Sequence, residues 1–226
     1  MENRDLKTVA YEILRKKLIN CEYAPGSILN EAQICNELGL SRTPIREALN
    51  RIANEGFVRI LPKKGIFVTE ISLNDVMQIF QARLEIEPVA VRMAGMALPE
   101  KELLSFREAF SGEDPDVQVG YRLDTAMHLF IIEYCGNRFI IDMMRKLFDE
   151  NTRVIISSKQ NQCKIHDARL EHLEIIDLLL SRDIEKASQA MASHIESCKK
   201  AALDYFYTMQ PFTVKPSGNY KKDFIS

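Results

Sequence analysis

No apolar run in the 226-residue sequence approaches the roughly 18 residues that a membrane helix needs. The first residues, Met1-Glu2-Asn3-Arg4-Asp5-Leu6-Lys7, are charged from the start and lack the apolar core of a signal peptide. Cysteine is sparse, odd in number and never in a CxxC pair: Cys21, Cys35, Cys135, Cys163 and Cys198. That spacing excludes a disulfide framework and points to reduced packing residues in a cytoplasmic protein. With 9 glycines and 8 prolines the chain is neither collagen-like nor low-complexity. Neither sign of charge dominates, since 30 Lys/Arg oppose 32 Asp/Glu for a formal −2. A hydrophobic content of 46% with 27% charged residues excludes intrinsic disorder. What remains is a soluble globular protein of one large or two small domains.

The charge is unevenly placed. Residues 1–71 carry 11 Lys/Arg against 9 Asp/Glu, whereas residues 72–226 carry 19 against 23. Within 41–65, Arg42, Arg46, Arg51, Arg59, Lys63 and Lys64 oppose only Glu47 and Glu55, a local net of +4. Such a patch is either an anion-binding surface, nucleic acid included, or a solvated basic face.

Hydrophobic periodicity divides the chain. Val9, Ile13, Leu14 and Leu18 mark an amphipathic helix over about 6–20, which Pro25-Gly26 follows as a break. Asn30 is a natural N-cap for a short helix over 31–38, with Gly39 just past its end. A third helix begins at Ser41 or Thr43, tolerates Pro44 in its first turn and buries Ile45, Leu49 and Ile52. Two short helices joined by a tight glycine-containing turn form a helix-turn-helix pattern. The β-branched and aromatic runs 57–61 and 66–71 then flank Pro62-Lys63-Lys64-Gly65, a hairpin turn. Three helices and a hairpin predict a winged helix-turn-helix domain over 6–71. From Ser72 or Asn74 onward the pattern is helical only, over 75–97, 99–110, 116–135, 138–160, 167–181 and 184–208. Asn137 and Asp183 are natural caps. These predict a mainly α protein with an all-α six-helix bundle over 72–208 and a loose C-terminal tail over 209–226.

Within the third helix, Arg42 and Arg46 are i, i+4 and share a face in the turns that a helix-turn-helix presents to the major groove. A guanidinium there bonds guanine O6/N7 bidentately or pairs with phosphate. Thr43 and the helix N-terminal amides suit a phosphate oxygen. Arg51, Lys63 and Lys64 flank this on the DNA backbone, and Gly65 lets the wing lie close to the minor groove. The plainer alternative is that both arginines are surface residues paired with Glu47 or Glu37. The segment 10–70 resembles the DNA-binding domain of the GntR family of bacterial transcription regulators. The words that carry the resemblance are Pro25-Gly26, Asn30-Glu31, Leu38-Gly39-Leu40-Ser41-Arg42-Thr43-Pro44, Arg46-Glu47-Ala48-Leu49, Glu55-Gly56 and Gly65 before Phe67-Val68. It implies that Arg42, Thr43, Arg46 and Gly65 occupy DNA-contact positions.

Only 4 histidines are present, and three fall in the helical half at informative places. Asp124 and His128 are i, i+4, so a carboxylate and an imidazole can reach one ion. His172 lies on or beside the stripe of Leu173, Ile176 and Leu180, and His194 lies among Ala187, Ala190, Met191 and Ile195. Converging inside a bundle, these four suit Zn²⁺, Ni²⁺ or Mn²⁺; singly, each histidine is an ordinary hydrogen-bonded core residue. His166 lies before its helix and is left out.

This region resembles the FCD ligand-binding domain of the FadR subfamily of GntR regulators. The resemblance rests on Arg83 and Glu87, Asp124 and His128, Gly136-Asn137, Glu171-His172 and His194. It implies a divalent metal held by Asp124, His128, His172 and His194, with open positions for a small organic acid. Arg83 then pairs with a second carboxylate of that effector, or else makes an ordinary intrahelical pair with Glu87. The reading that follows is a non-enzymatic regulator, a homodimer on double-stranded, pseudo-palindromic operator DNA, responding to an organic acid. Two other readings stand beside it. One is a helical metalloenzyme with an accessory DNA-binding head, for which Glu171 is the nearby acid–base group. The other is a regulator for which the metal itself is the signal.

Overall fold

The structure is a computed structural model and describes residues 5–112, 117–159 and 168–209. The predicted tail lies, apart from Met209, outside the described residues, as do His166 and Cys163.

The first helix, α1 (Leu6–Ile19), starts at Asp5, whose side chain accepts from the Lys7 amide at 3.3 Å. Its buried row is Ala10, Leu14 and Leu18, with Val9 and Ile13 only partly covered. The row runs through the small Ala10, which a pattern weighted toward large side chains passes over. In α2 (Glu31–Leu38), Asn30 Oδ1 accepts from the amides of Ala32 and Gln33 at 2.9 and 3.2 Å. Gly39 then ends the helix at φ 63°, the left-handed region that favours glycine. A two-residue turn leads into α3 (Arg42–Asn54), which buries Ile45, Ala48, Leu49 and Ile52 against α1 and α2.

The wing is a three-stranded antiparallel sheet in the order β1-β3-β2, made of β1 (Ile28–Leu29), β2 (Val58–Leu61) and β3 (Gly65–Val68). The two-residue β1 is too short to register as a strand pattern. It pairs Ile28 with Phe67 and Leu29 with Ile66. The wing turn closes with the Lys64 amide donating to the Leu61 carbonyl at 3.0 Å, and Lys63 carries the positive φ of 63°. Gly65 is therefore the first residue of β3, paired with Leu61, and not part of the tip.

The helical half begins with a capping box, Ser72 with Asp75, that opens α4 (Leu73–Ala94). It continues through α5 (Glu100–Ser111), α6 (Val117–Glu133), α7 (Arg138–Lys159), α8 (Arg169–Leu180) and α9 (Ile184–Met209). Asn137 caps α7 by accepting from the Phe139 amide at 3.0 Å. Asp183 does the same for α9 from Lys186 at 3.4 Å. The helix α4 packs along α9, and α8 lies against both α5 and α9. Their apolar faces close a second core, separate from that of the winged half. Among the described residues, no helix is long and apolar enough to cross a membrane.

Candidate metal centre and nucleic-acid interface

Three helices carry four side chains to one point inside the second core. Asp124 and His128 come from α6, His172 from α8 and His194 from α9, and one ligand atom of each lies within 4.8 Å of every other. All three histidines are buried. Asp124 Oδ1 sits 3.0 Å from His172 Nε2 and 3.7 Å from His128 Nε2. His128 Nε2 and His194 Nε2 face each other at 3.1 Å. Sequence spacing could bring Asp124 and His128 together, but only the helix crossings bring in the other two.

Two further carboxylates fix the rings. Glu87 on α4 meets His128 Nδ1, and Glu171 Oε2 on α8 lies 2.9 Å from His194 Nδ1. A carboxylate accepts, so both Nδ1 atoms carry the proton and both Nε2 atoms are turned inward. Two inward Nε2 lone pairs at 3.1 Å repel one another, and a cation between them, a shared proton or a metal ion, relieves that repulsion. This backing of ligand histidines by carboxylates is the usual outer support of a metal site. In addition, the Nδ1 of buried His172 lacks a hydrogen-bond partner, while its Nε2 meets Asp124. The donor set, three imidazoles and a carboxylate, fits a divalent transition ion.

The electrostatics agree. Burial opposes the charge on Asp124, but its hydrogen bond to His172 and the fields of the three imidazoles outweigh this and hold it well below the usual carboxylate range. Glu87 is pushed down to about 2, burial being overcome by Arg83 and His128. Burial pushes His194 down to about 4, against the raising effect of Glu171. It also pushes the Cys198 thiol, 3.7 Å from His194 Nε2, up to about 12. Three carboxylates against one guanidinium leave a net negative centre, which a divalent cation would neutralise.

Arg83 does pair with Glu87, at 2.6 Å, but not as a surface pair: the side chains are 2% and 1% exposed. Its Nη1 donates to Asn151 Oδ1 on α7 at 3.2 Å. That leaves Arg83 Nη2 and Asn151 Nδ2, two buried donors on neighbouring side chains, without acceptors. Unsatisfied buried donors are costly, and a carboxylate is the acceptor that suits a guanidinium. Asn151 had no signal in the sequence beyond its place in a helix.

In the winged half, Arg42, Thr43 and Arg46 are exposed at the start of α3. Ser41 caps that helix without a side-chain hydrogen bond. Lys63, Lys64 and Gly65 are exposed in the wing. The partner of both arginines is neither Glu47 nor Glu37 but Glu31, 2.9 Å from Arg46 Nε and 3.9 Å from Arg42 Nε. Arg51 is turned toward α1, its guanidinium 3.6 Å above the Tyr11 ring.

Comparison with known proteins agrees with both halves. The model of the FCD domain matches residues 78–197, and that of bacterial regulatory proteins of the gntR family matches residues 6–68. The Nta operon transcriptional regulator of Aminobacter aminovorans is 25% identical over 182 residues, covering 79% of this chain and 85% of that protein. The transcriptional repressor RspR of Escherichia coli is 25% identical over 196 residues, covering 84% and 86%. Among solved structures, E. coli McbR/YncC superposes with a TM-score of 0.75 at 20% identity, covering 90% of this chain and 99% of that one. A gntR-type helix-turn-helix followed by an FCD domain accounts for nearly all the described residues, and the chain belongs to the GntR family of bacterial transcriptional regulators that carry an FCD domain.

Proposed function

We propose that this regulator binds a divalent metal through Asp124, His128, His172 and His194, and that a small carboxylate seated between the metal and Arg83 sets its affinity for operator DNA. The observation that carries this is the pair of inward Nε2 atoms at 3.1 Å, each backed by a carboxylate. A shared proton would satisfy those two rings alone. A metal also uses Asp124 and His172, whose facing atoms lie 3.0 Å apart. When bound, the ion supplies a Lewis-acidic anchor for a carboxylate oxygen. The free donors of Arg83 and Asn151 supply the second grip.

Glu171 is engaged with His194, which weighs against a role as the general base of a hydrolase. We read the protein as a sensor that acts on DNA in the cytoplasm, and not as an enzyme. We place the domain boundary at 71/72, a reading that the Ser72 capping box at the start of α4 supports. The DNA-contacting set we propose is Arg42, Thr43, Arg46, Lys63, Lys64 and Gly65, with Arg51, stacked on Tyr11, at its margin. Arg42 and Arg46 read bases or phosphates, and the wing residues grip the backbone. A homodimer on a pseudo-palindrome fits the apolar stripe that α4 and its end leave open, Val89, Met93 and Met96, at 36%, 45% and 72% exposure.

The test is elemental analysis of natively purified protein beside His172→Ala. We expect about one divalent ion per chain in the wild type and its loss in the variant. Citrate, added with the metal present, should then bind the wild type by calorimetry. A metal-free wild type that also takes up nothing on titration with Zn²⁺, Ni²⁺ or Mn²⁺ overturns the metal reading and leaves DNA binding untouched.

A further inference from the structure

Glu31 opens α2 one residue inside the Asn30 cap, where the helix dipole favours a carboxylate. Its side chain is only 23% exposed, yet it faces two arginines that are 70% and 63% exposed. One carboxylate oxygen accepts from Arg46 Nε at 2.9 Å, and the other lies 3.9 Å from Arg42 Nε. The contact crosses the helix-turn-helix turn and reaches the two positions that share a face of α3. In both cases the nitrogen nearest Glu31 is Nε, and among the described residues no hydrogen bond engages the terminal Nη1 and Nη2 of either arginine.

We propose that Glu31 is a positioning residue for operator recognition, holding Arg46 by its Nε hydrogen bond and drawing Arg42 alongside by charge, so that their Nη edges meet the DNA already oriented. This rests on the assignment of those two arginines to DNA. Two physical effects act in opposite directions. Ordering the long side chains before binding reduces the rotamer entropy lost in the complex, which helps the sequence whose acceptors match the fixed edges. A carboxylate beside the DNA surface repels phosphate, which weakens binding to every sequence alike. Glu31 thus raises discrimination while lowering affinity for arbitrary DNA. A residue present only for local helix stability has neither signature.

The experiment uses the full chain. A duplex is first selected from a random-sequence pool with the wild type. Anisotropy titrations then compare that duplex with a scrambled one for wild type, Glu31→Ala, Glu31→Gln and Arg46→Ala. Glu31→Ala should weaken the selected duplex about tenfold, the scale of one oriented base contact, while the scrambled duplex binds equally or more tightly. Glu31→Gln keeps an oxygen for Nε and should recover part of the loss, with an unchanged urea midpoint showing that the head is folded. Equal tightening of both duplexes by Glu31→Ala overturns the proposal, because Glu31 would then be a repelling charge only. It is overturned too if selection with Glu31→Gln returns a motif altered at a single base pair, which would make Glu31 a direct reader of cytosine. If Arg46→Ala binds the selected duplex as tightly as the wild type, the arginine assignment itself falls, whatever Glu31 does.

Discussion

His194 shows how one side chain joins stability to ligand binding. It is buried on α9, with Glu171 and His172 facing it from α8, Asp124 and His128 from α6, and Cys198 one turn along its own helix. Burial holds its pKa near 4, while the ordinary value of 6.5 applies to the unfolded chain. Between those two values the unfolded state binds the proton and the folded state does not. Its contribution to stability is therefore complete above pH 6.5 and is lost progressively as the pH falls toward 4. The urea midpoint of chelator-treated protein should decline across that window, and His194→Gln should flatten the decline. An equally steep decline in the variant would show that His194 is not the group responsible. Below that window Glu87, with a pKa of about 2, adds a second loss as it takes up its proton. Metal uptake by the folded protein should fail only as the pH falls to about 4, because a ligand imidazole must be neutral.

The close approach of α4 and α9 turns on a single small residue. Gly95 ends α4 in an ordinary helical conformation, so its lack of a side chain serves packing and not backbone freedom. A Cβ there would lie no more than 3.0 Å from three side-chain carbons of Ile184, at the start of α9. Two of those carbons branch from the same Cβ of Ile184, so no single rotation clears both. Gly95→Ala should cost about 1–3 kcal/mol of stability by urea or thermal melting, the range for overpacking. An unchanged midpoint would mean that the helix end shifts freely. The element scale is also where the sequence is most legible. Helix boundaries at Asn30, Gly39, Ser72, Asn137 and Asp183 are readable because each cap is a local contact between near neighbours. The pairs Asp124–His128 and Arg83–Glu87 are readable for the same reason, being one helical turn apart. The strand β1 is not, since two residues carry no period. Nor are the contacts of Glu31 with Arg46, Glu87 with His128 and Asn151 with Arg83. Each depends on how two helices cross, which no one-dimensional spacing encodes.

At the scale of the whole molecule, one turn of α7 touches both halves. Asn151 accepts from Arg83, while Arg153, two residues on and 1% exposed, donates to the Thr69 carbonyl at 2.6 Å. Its own carbonyl lies 3.7 Å from Cys21 Sγ, and Asp149 pairs with Arg15 at the end of the same turn. Arg15 in turn holds Glu55 at 2.9 Å, just past the end of α3. An acceptor taken up by Arg83 and Asn151 thus acts on a helix segment that is bolted to the winged half. Coupling between sites is a free-energy difference between two arrangements, commonly worth about 5–150-fold in affinity. Arg153→Lys keeps the charge but gives up the fork that bridges Thr69 and Glu150. In the variant we expect metal content and the affinity of ligand-free protein for DNA to change little, while the shift in DNA affinity on adding metal and citrate shrinks severalfold. The measurement is a pair of anisotropy titrations with and without the two ligands, for both proteins. A ligand-induced shift as large as that of the wild type would remove the Arg153 fork from the path. Coupling would then run through the Asp149–Arg15 pair or through the covalent connection at 69–72, where the wing passes directly into the capped start of α4.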